Sequence, residues 1–371
     1  RAICMPLDLV LAQTTQTPLK AALIVRNGLG WEIARADVIF ATADQRTSDQ
    51  LSPGARVTAY PLLRLPYGAP SDRYDVFLRI YDDLASSGYE PRTDELTSGR
   101  DVLLGTWNAV GTPAWSLTNR ALDRPDQPIW RDGALALWTF EQSPATGSLR
   151  NGDALRLTLL WRGGAPPALR LRDAQGRWAL ESLPQADSNA DVTLEWREVR
   201  IPPDAVSGSA QLELPDGTPL TTITIAAVPA LYEQPAVEQT TDVVWPGVGR
   251  LVGFTLLTPI VSSNMPPEVE LVWQAGQQPI DGDYTVFVQL IDEQGAVIAQ
   301  SDSKPAEGAR PLPGWRPGEY IIDLHRLSFN EAERTGDVRL VVGWYDAATN
   351  TRLRLNDGQD AITLTDAVTF R

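Results

Sequence analysis

An internal repeat constrains the fold of this chain more than any other feature. The pattern Gly-x-x-Ile-Ala-x-x-Asp occurs at 30–37 and again, without a gap, at 295–302. Downstream of each copy, the glycine of a Pro-Gly pair precedes the aspartate of a Tyr-Asp pair by 28 positions, at 54–82 and at 318–346. Tandem copies of roughly 120 residues are too long for solenoid repeats and indicate whole domains in series.

The clearest copy contains a β-hairpin pattern. In the run 284–291, Tyr284, Val286, Val288 and Leu290 alternate with the residues between them, so that each set occupies one face of a strand. A turn at 292–295 then leads into a second strand-like run at 296–300. This period of two predicts a strand that is buried on at least one face.

The whole sequence is typical of an all-β protein. Strand-like runs at spacings of roughly 8–15 residues, together with 28 Gly and 29 Pro, predict antiparallel β-sandwiches that are immunoglobulin-like or jelly-roll-like. We place three such domains in tandem, at 1–110, 111–232 and 233–371. The middle copy is the most divergent, although 155–161 resembles 269–273 and 173–176 resembles 292–295. One helical turn is expected, at 330–335.

The first domain is expected to lack its opening strand or strands. We align 6–11 with 267–272 and 19–25 with 284–290, which leaves five residues ahead of the matched stretch in the first domain and about 25 in the third. An unpaired sheet edge and an open groove would then invite a strand from elsewhere. A preceding part of a longer polypeptide could supply it, or a neighbouring subunit, or the domain could manage without it.

Charge and composition exclude several classes of partner. A net charge of −15 argues against nucleic acid and anionic lipid surfaces, because phosphate binders need a basic face. The longest apolar runs, such as 223–231, are shorter than the ~20 residues of a membrane helix, so no direct membrane insertion is expected. The single cysteine, Cys4, excludes an internal disulfide and a cysteine-based metal site. Since Arg1 is not a translation start, we expect a preceding segment in the gene, which favours export.

Catalytic motifs are not found. The one histidine, His325, lies in an apparent strand at 321–327, which argues against histidine-based nucleophile systems, and there is no Walker loop or zinc signature. We therefore expect neither an enzyme nor a cofactor. Acidic residues crowd turns near Asp281, Asp283, Asp357 and Asp360, but none follows an EF-hand spacing. Asp357 and Asp360 are kept as weak calcium candidates beside the simpler interpretation, a solvated turn.

The 12 tryptophans divide into two groups. Trp161 and Trp273 recur at inward-facing strand positions and are predicted to lie in a core. Trp31 and Trp178 directly follow hairpin turns and are predicted to be the most exposed. Because exposed aromatic faces stack on sugar rings, these two are the candidate binding residues for a glycan.

Residues 240–371 resemble a known bacterial module. The run 284–292, the residues Gly295, Asp302 and Asp323, and the motifs at 315–319 and 343–346 are similar to the extracytoplasmic β-sandwich tail of dolichyl-phosphate-mannose-type membrane glycosyltransferases. The resemblance implies an exported, accessory, non-catalytic module. The catalytic carboxylates of such enzymes belong to their membrane region, so no catalytic residue is carried over.

Two functions follow from these patterns. The first is a non-catalytic structural or interaction protein of the bacterial cell surface, extracytoplasmic or secreted, that presents sheet edges and loops to protein subunits, either its own copies or a membrane-anchored partner. The alternative is the sugar-binding or scaffolding C-terminal region of a membrane glycosyltransferase. Carboxylate-based hydrolysis is a third hypothesis, but no spacing in the sequence supports it.

Overall fold

The regular structure of the described part of the chain is β-strand, apart from two short 3-10 turns. The computed structural model describes residues 2–66, 69–70, 72–84, 88–89, 97–98, 100–109, 127–184, 192–258, 260–261, 267–278, 280, 282–329, 336–347 and 351–370. The helical turn predicted at 330–335 and the domain boundary predicted at 110/111 lie outside these residues. Within them, no helix is long and apolar enough to cross a membrane.

The first unit, residues 2–109, has one large sheet and two short ribbons. Its strands are β1 (Ala2–Cys4), β2 (Leu7–Val10), β3 (Lys20–Arg26), β4 (Glu32–Ile39), β5 (Arg56–Ala59), β6 (Leu62–Arg64), β7 (Asp72–Tyr81), β8 (Thr97–Ser98) and β9 (Asp101–Ala109). The large sheet has the order β4-β3-β7-β9-β8, and the ribbons pair β1 with β6 and β2 with β5. A single 3-10 turn at Ser48–Gln50 precedes β5.

The second unit, residues 130–225, has two sheets. Its strands are β10 (Trp130–Asp132), β11 (Leu135–Ser143), β12 (Ser148–Leu149), β13 (Ala154–Arg162), β14 (Leu169–Asp173), β15 (Ala179–Ser182), β16 (Val192–Arg200), β17 (Gly208–Glu213) and β18 (Pro219–Ile225). The sheet orders are β10-β11-β13-β16 and β12-β18-β17-β14-β15.

The third unit, residues 239–370, repeats this arrangement. Its strands are β19 (Gln239–Trp245), β20 (Gly249–Leu256), β21 (Ile260–Val261), β22 (Glu268–Ala275), β23 (Thr285–Asp292), β24 (Val297–Ser303), β25 (Tyr320–Arg326), β26 (Ser328–Phe329), β27 (Gly336–Asp346), β28 (Thr351–Arg352) and β29 (Ile362–Phe370). The sheet orders are β19-β20-β22-β25 and β21-β29-β27-β23-β24-β26, with β28 beside β27. A 3-10 turn at Leu312–Gly314 precedes β25, as in the first unit.

The order of the strands matches between the second and third units. β10, β11, β13 and β16 correspond to β19, β20, β22 and β25, and β14, β17 and β18 correspond to β23, β27 and β29. The first unit repeats the pattern with β2 and β5 in place of β22 and β25, and with β3, β4, β7 and β9 in place of β23, β24, β27 and β29. Pairing is antiparallel except at the short pairs β12–β18 and β21–β29, which are parallel.

In each unit, residues from both layers share a core. In the third unit, Leu251 and Leu271 of one sheet and Val288 and Val342 of the other belong to one buried cluster. The second unit has the corresponding cluster, and the first unit has three smaller clusters. The predicted core tryptophans Trp161 and Trp273 are both fully buried. The predicted division at 232/233 falls between the core cluster of the second unit and that of the third. Independent folding of 1–110, 111–232 and 233–371 stays a prediction.

The predicted hairpins share one turn geometry. Asn27, Asp173 and Asp292 each accept hydrogen bonds through the side chain from backbone N–H groups two and four residues later, at 2.7–3.2 Å. The glycine three residues after each of them has a positive φ of 72–84°. A side chain is strained in that conformation, which explains why glycine recurs at this position in the repeat.

Candidate functional site

β2 has an unpaired edge in the first unit. Its counterparts β13 and β22 are each paired on both sides, whereas β2 pairs only with β5 among the strands that are described. Leu11 bonds toward β5, because its N–H donates to Ala55 O at 3.0 Å and its carbonyl accepts from Gly54 N at 2.7 Å. The backbone polar groups of alternate residues point to opposite edges of an antiparallel strand. The N–H and C=O groups of Asp8 and Val10 therefore face the free edge.

The hydrogen bonds fix how β2 corresponds to the third unit. Ala275 donates to Glu319 O at 2.9 Å and accepts from Gly318 N at 3.3 Å, which repeats the bonding of Leu11. Leu11 thus corresponds to Ala275, and Leu9 corresponds to Trp273. The alignment of 6–11 with 267–272 is wrong by three residues. That alignment paired Pro6 with Pro267, and it would place Leu9 at the position of the partly exposed Glu270. The hydrogen bonds instead place Leu9 at the position of the buried Trp273.

An apolar groove of about 310 Å³ lies beside this free edge. It opens between the β2–β5 ribbon and the large sheet of the first unit. Its lining combines side chains of β2, β7 and the segments that follow them: Leu9, Val10, Leu11, Ala12, Gln13, Thr15, Leu19, Leu78, Ile80, Tyr89, Arg100 and Val102. We call these residues the first-unit groove.

In the third unit, the opening hairpin occupies the corresponding space. Ile80 corresponds to Trp344, since Tyr89 N donates to Ile80 O and Leu353 N donates to Trp344 O, both at 2.8 Å. Trp245 of β19 packs edge-on against Trp273, with ring centroids 5.6 Å apart. The carbonyl of Val248 accepts from Gly276 N, the counterpart of Ala12. The first-unit groove is therefore the place that the β19–β20 hairpin fills in the third unit.

Apolar side chains are also exposed on the outer face of the same layer. Val10 is 55% exposed and Tyr60, directly after β5, is 66% exposed. Of these two residues only Val10 lies on β2, so the free edge is apolar chiefly on the face that borders the groove. Such a surface is a typical docking site for a further strand.

A second candidate is a row of buried polar groups in the third unit. Trp273 Nε1 donates to Asp323 Oδ2 at 3.0 Å, and His325 Nε2 donates to the same oxygen at 3.0 Å. Ser301 Oγ lies 3.1 Å from His325 Nδ1. Serine, histidine and aspartate thus form a hydrogen-bonded series, but Asp323 and His325 have no exposed surface on which a substrate could bind.

The second unit contains the counterpart of this row. Trp161 Nε1 donates to Glu195 Oε2 at 2.7 Å, and Arg197 Nη2 donates to Glu195 Oε1 at 2.6 Å. Glu195 and Arg197 are the counterparts of Asp323 and His325, because they occupy the same cross-strand positions in β16 and β25. Burial lowers the pKa of the Arg197 guanidinium, an effect that Glu195 opposes. The second unit has Arg197 at the position that His325 occupies in the third. Because arginine cannot take the part of the histidine base, the comparison of the two rows favours a shared structural role over nucleophilic catalysis.

The structure places both predicted glycan-binding tryptophans in buried positions. Trp31 is 8% exposed, because its Nε1 donates to Glu198 Oε2 at 3.4 Å and the Arg156 guanidinium lies 5.1 Å from its ring centroid. Trp178 is 9% exposed and belongs to the core of the second unit. The predicted exposure is wrong for both, since a residue after a hairpin turn is exposed only where no other element packs over it. Their assignment to sugar binding stays a prediction.

The acidic turns show ordinary turn contacts. Asp357 Oδ1 accepts from Gln359 N at 3.0 Å, and Asp360 Oδ1 lies 3.6 Å from Arg352 Nη1. Among the residues that the structure describes, no three His, Cys, Asp or Glu side chains are grouped so that they could hold a metal ion. Asp281, named in the sequence with Asp283, lies outside those residues.

Comparison with known proteins gives no family assignment. No family model and no curated protein matches the chain. Among solved structures, the chain is similar to the BSP domain of a biofilm-associated protein, with 11% identity and a TM-score of 0.18 over 99% of this chain and 64% of that one. It is similar to dimeric latent PorU from Porphyromonas gingivalis, with 9% identity and a TM-score of 0.20 over 94% and 29%, and to the FN1–FN3 domains of chicken CNTN1, with 9% and 0.20 over 98% of both chains.

The chain spans less than two thirds of the length of the first two of these proteins. TM-scores of 0.20 or lower carry no argument about a shared fold or function. The resemblance of 240–371 to glycosyltransferase tails therefore stays an interpretation of the sequence.

Proposed function

We propose that this chain is a non-catalytic, extracytoplasmic structural protein built as three tandem immunoglobulin-like β-sandwiches, and that its first unit binds a β-strand from a partner subunit. The observation that carries the proposal is the free edge of β2 beside the first-unit groove. The same position is filled by β11 in the second unit and by β20 in the third. The first unit thus offers a strand edge for pairing, whereas each of the other two units pairs the equivalent edge with a strand of its own opening hairpin.

The energetics favour a strand over other ligands at this site. The backbone groups of Asp8 and Val10 offer hydrogen bonds that an added antiparallel strand would complete. Apolar side chains that enter the groove from that strand would contribute about 25 cal/mol per Å² of buried apolar surface. A strand satisfies both requirements at once, which a sugar or a nucleotide would not.

Several observations support a non-catalytic role. The histidine and aspartate of the serine–histidine–aspartate row are buried, and the row has an arginine-containing counterpart. The net charge of −15 disfavours binding to phosphate backbones. The placement outside the cytoplasm comes from the resemblance of 240–371 to extracytoplasmic tails. The sugar-binding alternative depended on exposed faces of Trp31 and Trp178, and neither ring offers one.

Hydrogen exchange at single amides tests the proposal. The amides of Asp8 and Val10 should exchange rapidly in the isolated chain and slowly in the particle isolated from its source without denaturation. The amides of Leu9 and Leu11, which face β5, serve as internal controls and should be protected in both samples.

Light scattering on the same native material completes the test. We expect a mass above the 40.6 kDa of the single chain, because the mass of the bound partner subunit is added to it. A native mass of a single chain, with Asp8 and Val10 amides that exchange as fast as in the isolated protein, would overturn the proposal.

A further inference from the structure

The opening hairpins of the second and third units share a side-chain pattern. Leu137 lies opposite Trp161 and Leu251 lies opposite Trp273. Three residues later, Phe140 lies opposite Leu159 and Phe254 lies opposite Leu271. In both strands the register shifts between these two positions, which identifies a β-bulge of the same kind. The strand that covers β13 or β22 therefore has the form Leu-x-x-Phe with a bulge inside it.

A tryptophan on the preceding strand completes the pattern. Trp130 packs edge-on against Trp161 at 6.2 Å, and Trp245 packs edge-on against Trp273 at 5.6 Å. Trp130 is 7% exposed and Trp245 is 1% exposed. The indole thus covers the core residue of the central strand and closes the end of the core.

The first unit has smaller residues where the third has indoles. Leu9 and Ile80 take the positions of Trp273 and Trp344, and Leu51, directly after the first 3-10 turn, takes that of Trp315. Protein interiors are packed to the density of organic crystals, so the smaller side chains leave room that another group has to fill. The first-unit groove is that room, and a large apolar side chain from outside fits it.

We propose that the partner strand bound by the first unit carries the same pattern: a leucine opposite Leu9, a bulge, a phenylalanine opposite Leu7, and a tryptophan, on a preceding strand, whose ring enters the first-unit groove. The inference rests on the proposed function and names the chemistry of the partner. The occupant is a β-hairpin of another polypeptide that pairs antiparallel to β2. Its Leu-x-x-Phe and tryptophan side chains determine which partners are accepted.

The hairpin of the third unit provides the probe. A synthetic peptide of residues 239–257 with a solubilising lysine tail is titrated into the full chain and its binding is followed by fluorescence anisotropy. Two control peptides carry Trp245→Ala or the pair Leu251→Ala and Phe254→Ala. We expect saturable binding of the first peptide, weakened about 100-fold or more by either change, because both remove large side chains from a core.

Two acceptor variants locate the binding. Val10→Pro removes the N–H group that faces the free edge and should abolish binding, while Val10→Thr keeps it and serves as the matched control. Ile80→Asp places a charged group in the first-unit groove, where it should oppose the entry of an indole and weaken binding strongly. Circular dichroism checks that both variants keep the fold.

The outcomes separate this inference from the proposed function. Equal binding of all three peptides, lost in Val10→Pro, would overturn the Trp and Leu-x-x-Phe pattern but leave strand addition intact. Failure of every peptide to bind, or binding that persists in both Val10→Pro and Ile80→Asp, would also overturn the inferred pattern. The proposed function would then be judged by the exchange of the Asp8 and Val10 amides in the native particle.

Discussion

Glu195 and Arg197 are charged residues in the interior of the second unit, and neither side chain has any exposed surface. Besides Glu195, the Arg197 guanidinium donates to the carbonyls of Ser182 at 3.1 Å and Pro167 at 2.9 Å. The pair is therefore well satisfied by hydrogen bonds. The first unit has Ala59 in the place of the acidic residue, because Ala59 lies opposite Leu7 as Glu195 lies opposite Leu159. The fold can thus be built with or without this pair.

This comparison leads to a prediction for single and double variants. Arg197→Met should destabilise the second unit by about 3–5 kcal/mol, because it leaves the Glu195 carboxylate buried and uncompensated. The double variant Glu195→Leu with Arg197→Met should recover most of that loss, with a remainder of about 1–3 kcal/mol from the unpaired Trp161 Nε1. Urea denaturation followed by tryptophan fluorescence measures both. A double variant as unstable as Arg197→Met would contradict the prediction.

At the scale of elements, the hairpin turns are equivalent in geometry but differ in charge. Asn27 is neutral, whereas Asp173 occupies the same position in the second unit and is 1% exposed. Hydrogen bonding to the Arg177 side chain is the main cause that lowers the pKa of Asp173 to about 2, and burial opposes it. The Asp173 hairpin should therefore respond to acid, and the Asn27 hairpin should not.

The sign of the pH effect follows from this pKa. Because the folded pKa of about 2 lies below the ordinary value of 3.8, ionised Asp173 stabilises the folded state fully above pH 3.8 and loses this effect as the pH falls toward 2. Asp173→Asn keeps an acceptor for the turn but removes the charge. The variant should be less stable than the natural protein at pH 7, and the gap should close near pH 2. Denaturation midpoints across this range measure it, and a gap that stays constant would contradict the assignment.

Much of this element level could be predicted from the sequence. The period of two at 284–291 and the Asp-x-x-Gly turns are local patterns, and both lead to the observed hairpin β23–β24. The register of β2 was not predictable from its short alternating run, because the run offers several similar alignments. The register is decided by the hydrogen bonds between Leu11 and the residues Gly54 and Ala55, which lie 43 and 44 positions further along the chain.

The candidate site was predictable only in part, because it combines a local strand pattern with residues that are distant in the sequence. The alignment of the repeats predicted an unpaired edge in the first domain, and β2 pairs only with β5 among the described strands. The groove residues Leu78, Tyr89 and Val102 come from distant strands and turns, so no local pattern could bring them together. The rows formed by Glu195 with Arg197 and by Asp323 with His325 were likewise invisible, since each depends on a tryptophan from a neighbouring strand.

At the scale of the whole molecule, specific contacts join neighbouring units. Between the second and third units, Arg316 Nε donates to Pro203 O at 2.7 Å. A side chain at Gly314 would meet Asn151 O at 2.2 Å, so the two backbones touch there. Between the first and second units, Tyr74 and Trp196 pack edge-on with ring centroids 6.4 Å apart. Contacts of this kind therefore connect each unit to the next.

Trp31 is the residue on which we expect the joint between the first and second units to depend most. Its indole contacts Glu198 and Arg156 of the second unit, and it belongs to none of the buried apolar clusters of its own unit. Trp31→Ala should therefore loosen the joint without unfolding the first unit, and small-angle X-ray scattering should record a larger radius of gyration and a broader distance distribution.

Two matched variants make this prediction specific to the joint. Trp31→Phe keeps an aromatic face for the Arg156 guanidinium and should change the scattering less than Trp31→Ala. Trp178→Ala removes the indole that follows the corresponding hairpin turn, but that ring packs inside the core of the second unit. It should lower the stability of that unit by about 3–5 kcal/mol while the spacing of the units in the remaining folded protein stays the same. Identical scattering curves for the natural protein and Trp31→Ala would contradict the dependence of the joint on Trp31.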